Sequence, residues 1–291
     1  MKRFMKVLFA SVLAAVTAFS FAACGSQAKD ISGAKSLADL KGARISAQSG
    51  TFHETAREQI EDVKGTIYST FDDMYIALTS GALDGYIAEE PTALAVCLKN
   101  PDLDYIHLVN NSTGFTATDA DTAIAIGCKK GSDWTSKINP ILEEISVEDR
   151  MTLMEQCVKI NAGQPVESFA VSNDAPATTT GTLKVAMECA YAPFNWQQTD
   201  DSNGAVPISG EGMQGTYANG YDVQIAKYVA NALGLKLEIY SSVWDSLIPG
   251  VQAGTFDLIA AGMSPTDERK QQIDFTSNYY TSNLVVIYKK A

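Results

Sequence analysis

The sequence predicts an α/β protein with mainly parallel sheets, arranged in two halves on either side of a linker. Short apolar runs alternate with stretches of helical period along almost the whole chain. One segment breaks that alternation. "GQPVESFAVSNDAPATTTG", residues 163–181, is rich in Pro, Ser, Thr and Ala and carries no sustained apolar period. The length, 291 residues, suits one large domain or two lobes of ordinary size.

The first 23 residues read as a targeting segment. Lys2, Arg3 and Lys6 precede an apolar run from Val7 to Phe21, too short to span a membrane comfortably with its flanks. Ala22 and Ala23 directly before Cys24 match the bacterial lipoprotein pattern, so Cys24 is expected to carry the lipid and residues 24–35 to form a polar tether.

Residues 36–162 begin with a strand at "ARISAQ" (43–48) and a helix from "GTFHETAREQI" (50–60). "TIYST" precedes the helical "FDDMYIALTSG"; then come the strand "LDGYIAE", the helical "PTALAVCLKN" and the strands "YIHLV" and "TAIAIGCKK". Two helices, "WTSKINPILEEI" and "VEDRMTLMEQCVKI", close this half. In residues 182–291 "TLKVAM" is a strand, and "YDVQIAKYVANALG" is a helix with Val223, Ala226, Val229, Ala230 and Leu233 on one face and Gly234 at its end. "LKLEIY", "FDLIAAGM" and "NLVVIYKK" are strands; "WDSLIPGVQAG" is helical, and "PTDERKQQI" starts a helix with Thr266 as N-cap. Ligands in such sheets bind beyond the carboxyl ends of the strands.

Without residues 1–23 the chain keeps 19 Lys and Arg against 34 Asp and Glu, a net charge of −15, which argues against nucleic acid or anionic lipid as partners. Cys97, Cys128, Cys157 and Cys189 could form two disulfides, but three of them lie in apolar runs where buried thiols are expected. With no CxxC pair and only His53 and His107, neither a structural metal nor a cofactor is expected. "TDDSNG" (199–204) resembles the start of a calcium loop, but Thr199 and Gly210 stand at its first and last ligand positions, so it reads as a solvated hairpin loop.

"LKVAMECAYAPFNW", "GYDVQIAKYVANALG", "LIPGVQAGTFDLIAAGMSPTDER" and "IDFTSNYY" resemble the N-terminal half of the polar amino-acid binding proteins of ABC transporters, solute-binding protein family 3. "SLADLKGARISAQSGTFHE", "LTSGALDGYIAEEP" and "AIAIGCKKGSD" resemble the C-terminal half of the same family. Each half keeps its internal order but the halves are exchanged, so the chain resembles a circular permutant. The resemblance implies a periplasmic-binding-protein type II clamp, two α/β lobes joined by two crossing strands. One lobe would comprise about 129–282, the other about 31–127 plus the final strand.

By the same resemblance, Arg269 would bind the carboxylate of an amino acid with its planar fork, assisted by Ser264 and the backbone at Gly262 and Met263. Glu89 would take the ammonium group, at a position where the family more often has Asp; Glu90, beside it, reads as the acid that heads the helix starting near Pro91. Tyr191 and Trp244 would wall the ligand, and Gly50 and Thr51 would offer backbone N–H groups and a hydroxyl. Phe52 stands where the family usually has a small or polar residue, and Glu188 where an acid can meet a polar or cationic side chain.

The expected function is a lipid-anchored, monomeric binding protein on the outer face of a bacterial cell membrane, which captures a polar or charged amino acid for an ABC permease. It is not expected to be an enzyme; the alternatives are a dehydratase-like enzyme of the same fold, with His53 paired to Glu188 or Glu89, or a ligand-sensing domain. Cys24→Ser is expected to move the protein from the membrane fraction to the soluble fraction. Retention on the membrane after a high-salt wash would exclude anchoring through Cys24.

Overall fold

The computed structural model describes residues 28–290. The signal peptide expected at 1–23 and the lipid site Cys24 lie outside the described residues. Two sheets organise the rest. The smaller has the order Ile45–Ser46, Gly85–Glu89, Leu284–Lys289, Leu103–His107. The larger has the order Lys236–Ser241, Thr182–Met187, Leu258–Ile259, Gly127–Lys129, Ile273–Phe275.

In both sheets all strands but one run the same way. The exceptions are Leu284–Lys289 and Gly127–Lys129, each antiparallel to both neighbours. Each has just arrived from the other lobe and so enters its sheet from the cleft side. The remaining strands need helical crossovers to run parallel. Their carboxyl ends therefore converge on the cleft. The two crossing segments pair with each other, Ala123–Ile124 antiparallel to Tyr280–Thr281. The strand expected over "TAIAIGCKK" is thus two strands, one crossing between the lobes and one inside the larger sheet.

Helices cover the sheets with the faces that the apolar spacing requires. Phe71–Thr79 is capped by Thr70, whose Oγ1 accepts from the Asp73 N–H at 3.1 Å, and buries Phe71, Met74, Ala77 and Leu78. Tyr221–Ala232 buries Val223, Ala226, Val229 and Ala230 as expected. Cys97, Cys128, Cys157 and Cys189 are all free thiols, and burial raises the pKa of each.

Three local expectations are revised. The tether is shorter than residues 24–35, because the Lys29 N–H donates to Asp84 Oδ1 at 2.9 Å and Ile31 is buried. Residues 199–204 do not close a hairpin: Asn195–Gln198 and Val206–Pro207 each pair with Tyr217–Asn219, not with each other. Residues 163–181 form no helix or strand, yet they are docked on the larger lobe. Val171 enters the core, the Ala170 N–H donates to Gln156 Oε1 at 2.8 Å, and Asn173 Nδ2 donates to the Tyr228 carbonyl at 2.9 Å.

One glycine holds the turn that carries Tyr191 and Phe194. Gly220 has φ +127°, and the N–H groups of Tyr221 and Asp222 just after it donate to the carbonyls of Pro193 and Phe194 at 3.0 and 2.8 Å. A Cβ on Gly220 would stand 2.4 Å from the Phe194 oxygen. Gly220→Ala is expected to lower stability by about 2–4 kcal/mol, from the clash and the positive φ together. Urea unfolding should show it as a lower midpoint with little change in slope.

Candidate functional site

Arg269 lies in the helix Asp267–Gln272, capped by Thr266, and is only 9 % exposed. Its Nη1 donates to the Ser264 carbonyl at 2.9 Å and its Nη2 to the Gly50 carbonyl of the facing lobe at 3.2 Å. The guanidinium carbon stands 5.1 Å from the centre of the Trp244 ring. Trp244 Nε1 donates to the same Gly50 carbonyl at 3.2 Å, so one oxygen gathers both side chains across the cleft. Among the described residues no carboxylate comes within 4.0 Å of the guanidinium. Burial is the main influence on Arg269 and lowers its pKa to about 10; Glu268, Glu89 and Asp121 partly offset it. Beside it, Gly50, Trp244, Asp245, Met263 and Arg269 help line a cavity of about 240 Å³.

Glu89 ends the strand Gly85–Glu89 and is buried. Its Oε1 lies 2.9 Å from His53 Nε2, while Glu89 Oε2 and His53 Nδ1 have no hydrogen-bond partner. Glu90 begins the next helix and faces outward, 3.6 Å from His107 Nδ1. Glu188, just past the carboxyl end of the strand Thr182–Met187 in the larger sheet, accepts two bonds from Gln48 Nε2 of the facing lobe, at 3.0 and 3.1 Å. Burial pushes the Glu188 carboxyl up to about 7; the Gln48 bond lowers it and the nearby Asp72 and Asp245 raise it further.

Several expected contacts are already taken by the protein. Tyr191 is expected to stack on a ligand, but both faces of its ring are covered. Phe71, from the other lobe, is parallel to it at 4.2 Å, and Phe194 stacks on it at 5.0 Å. The Tyr191 hydroxyl is buried without a partner. Gly262, at φ +62°, leaves the space that this ring fills, since a Cβ there would be 2.8 Å from Tyr191 Cε1. The Ser264 hydroxyl donates to the Asp121 carbonyl at 2.9 Å, so Ser264 meets Arg269 through its backbone alone. Thr51 Oγ1 donates back to the Gln48 carbonyl at 2.8 Å, and the Gly50 N–H donates to Glu54 Oε2 at 3.0 Å. Met263 is buried, and its carbonyl accepts from the Ala125 N–H at 3.1 Å. Phe52 packs against the core of the smaller lobe.

Sequence reasoning missed Phe71 and Gln48 and left open which acid His53 meets. Gln48 stands inside the quoted "SAQSG", at the end of a predicted strand, where a polar side chain would face the cleft. Nothing in the local sequence places Phe71 on a tyrosine 120 positions away. Asp222 was read only as part of a helix. It is fully buried and raised to about 7 by that burial, against the bonds from Tyr279 (2.5 Å) and Asn195 (2.8 Å). No cluster of His, Cys, Asp and Glu that could hold a metal occurs among the described residues.

The family profile of the bacterial extracellular solute-binding proteins, family 3, matches residues 183–291. The arginine-binding extracellular protein ArtP of Bacillus subtilis is 39 % identical over 119 residues, covering 41 % of this chain and 40 % of the relative. A probable histidine-binding protein of Campylobacter jejuni is 37 % identical over 106 residues, covering 36 % and 35 %. An ancestral cationic amino-acid solute-binding protein of known structure is 33 % identical, with TM-score 0.25 and coverage of 32 % and 34 %. The chain thus spans about two fifths of the length of the curated relatives it matches.

The raised Glu188 carboxyl has a consequence for stability. Between about pH 4.5 and 7 the folded protein holds a proton that the unfolded chain has released. Stability is therefore greatest at the acid end of that window and falls as pH rises through it. Asp222 adds the same trend to both proteins compared. Glu188→Gln is expected to remove about 1–3 kcal/mol of the loss between pH 5 and 8, measured by urea unfolding at both pH values.

Proposed function

We propose, for a chain whose residues 183–291 match the family model of the bacterial extracellular solute-binding proteins, family 3, that the protein captures an amino acid between its two lobes and passes it to an ABC permease. The observation that carries this reading is Arg269, a cation 9 % exposed and held by two carbonyls and an indole instead of a carboxylate. A buried charge without a counter-ion is costly, and a ligand carboxylate would supply the missing partner. Glu89, buried with one oxygen unpartnered, supplies the opposite charge from the facing lobe. A cation and an anion held apart on two lobes complement a zwitterion. Arg269 takes the carboxylate in place of its carbonyl partners, and Glu89 takes the ammonium group. Trp244 backs the guanidinium, and the Tyr191 hydroxyl offers a further polar contact.

Glu188, with Asp72 and Asp245 near it, makes the side-chain end of the site acidic. That favours a polar or cationic side chain, and relatives named as binding arginine and histidine agree with it. The reading includes a lipid anchor at Cys24 on the outer face of the cell membrane, a monomer, and binding without turnover.

The permuted order is part of the same proposal, with residues 36–162 as the family's second half, 163–181 as the linker and 182–291 as its first half. Two features support it. The linker starts and ends on the larger lobe, and the chain's described ends meet on the smaller one, where Asp30 lies near Tyr288 and Ile31 packs beside Gly85.

A thermal-shift screen of the mature protein against the twenty amino acids tests the function, with about 2.7 kcal/mol of added stability expected at a hundredfold excess over Kd. Arg269→Ala is expected to weaken calorimetric affinity about 30-fold or more, the loss of one partner of a desolvated charge pair. Glu89→Ala should act similarly and the outward-facing Glu90→Ala much less. Near-native affinity in Arg269→Ala would overturn the carboxylate assignment.

A further inference from the structure

We infer that His53 is the positioning residue for Glu89 and couples ligand capture to release of a proton, an inference that rests on the amino-acid reading of the site. His53 Nε2 lies 2.9 Å from Glu89 Oε1, with the two side chains 7 % and 8 % exposed. The pair is enclosed. His53 is the second residue of the helix Phe52–Arg57, Glu89 ends its strand, and the Phe71 ring meets the imidazole edge-on at 5.9 Å and 83°. Each partner keeps one further polar atom, His53 Nδ1 and Glu89 Oε2, buried without a bond.

Other charged groups lie on the elements around the pair. On the His53 helix, Glu54 is turned to the Gly50 N–H, and Arg57 donates to the carbonyls of Ile45 and Gly65. From the larger lobe, Arg269 and Asp222 both feel the charge of Glu89, and Tyr191 lies behind Phe71. Among the described residues, Glu89 is the one carboxylate bonded to His53.

Two protonation states of this pair have opposite effects on a ligand. A neutral imidazole that donates Nε2–H to Oε1 fixes the carboxylate and leaves its full negative charge, with Oε2 open to an ammonium group. An imidazolium at the same place is itself a cation bonded to that carboxylate, and it competes with the ligand. By reciprocity, if a proton on His53 weakens capture, capture expels that proton. Acidification at the outer face of the membrane would then loosen the grip on the ligand.

Calorimetric titration with L-arginine at pH 8 and pH 5.5, on wild type, His53→Ala and His53→Gln, tests this. Wild type should bind about tenfold more weakly at pH 5.5 than at pH 8. His53→Ala should bind several-fold more weakly than wild type at pH 8. His53→Gln can still donate to Oε1 but cannot titrate, so it should restore binding at pH 8 and show a smaller difference between the two pH values. Glu188 also titrates in this range, but its contribution is common to all three proteins. Parallel pH dependence in wild type and His53→Gln would overturn the proton coupling, and unchanged affinity in His53→Ala at pH 8 would overturn the positioning role. Absence of L-arginine binding in all three proteins at pH 8 would instead overturn the cationic-ligand reading, and this inference with it.

Discussion

The architecture depends on the antiparallel pairing of two short crossing segments, Ala123–Ile124 and Tyr280–Thr281. Because the chain passes between the lobes there, each sheet receives one strand running against the others. The carboxyl ends of the remaining strands then face a shared cleft. Glu89, Glu188 and the loop leading to Arg269 all lie at such ends. The groups proposed to read the two charges of an amino acid are therefore carried on separate lobes, Glu89 at a strand end and Arg269 in the short helix Asp267–Gln272, and contacts such as Gln48–Glu188 and Gly50–Trp244 bridge between them.

Two deeply buried charges dominate the electrostatics of the cleft. Arg269 and Glu89 are buried far more deeply than their residue types ordinarily tolerate. Neither neutralises the other by direct contact. Their desolvation is tolerable because carbonyls and an indole face hold the guanidinium and an imidazole holds one carboxylate oxygen. Such partial satisfaction stabilises the side chains in place while leaving each able to gain from a charged ligand.

Much of this was legible in the sequence. The helix Tyr221–Ala232 follows from its apolar spacing and the helix after Thr266 from its cap, and both are formed. Arg269 and Glu89 were singled out by a resemblance, and they are buried on facing lobes. What could not be read is which groups the protein itself would occupy. The Ser264 and Thr51 hydroxyls bond to nearby carbonyls, and the two faces of Tyr191 go to Phe71 and Phe194. Periodicity reports which face of an element is buried, but pairings between lobes depend on the closed tertiary structure. The linker shows the same limit. Its composition indicated no helix or strand, but Val171 and Asn173 still find specific places on the larger lobe.

The position of the final strand bears on the order in which the molecule can be made. Leu284–Lys289 lies between Gly85–Glu89 and Leu103–His107, strands synthesised roughly 180 to 200 residues earlier. The larger sheet likewise inserts Gly127–Lys129 between strands that follow the linker. Neither sheet can be completed until these late segments have been made. Pairings so distant along the sequence fold slowly, with loop-closure entropy lost before the contacts that offset it form. Until then the half-built smaller sheet exposes two unpaired strand edges, where an emerging chain is most open to aggregation.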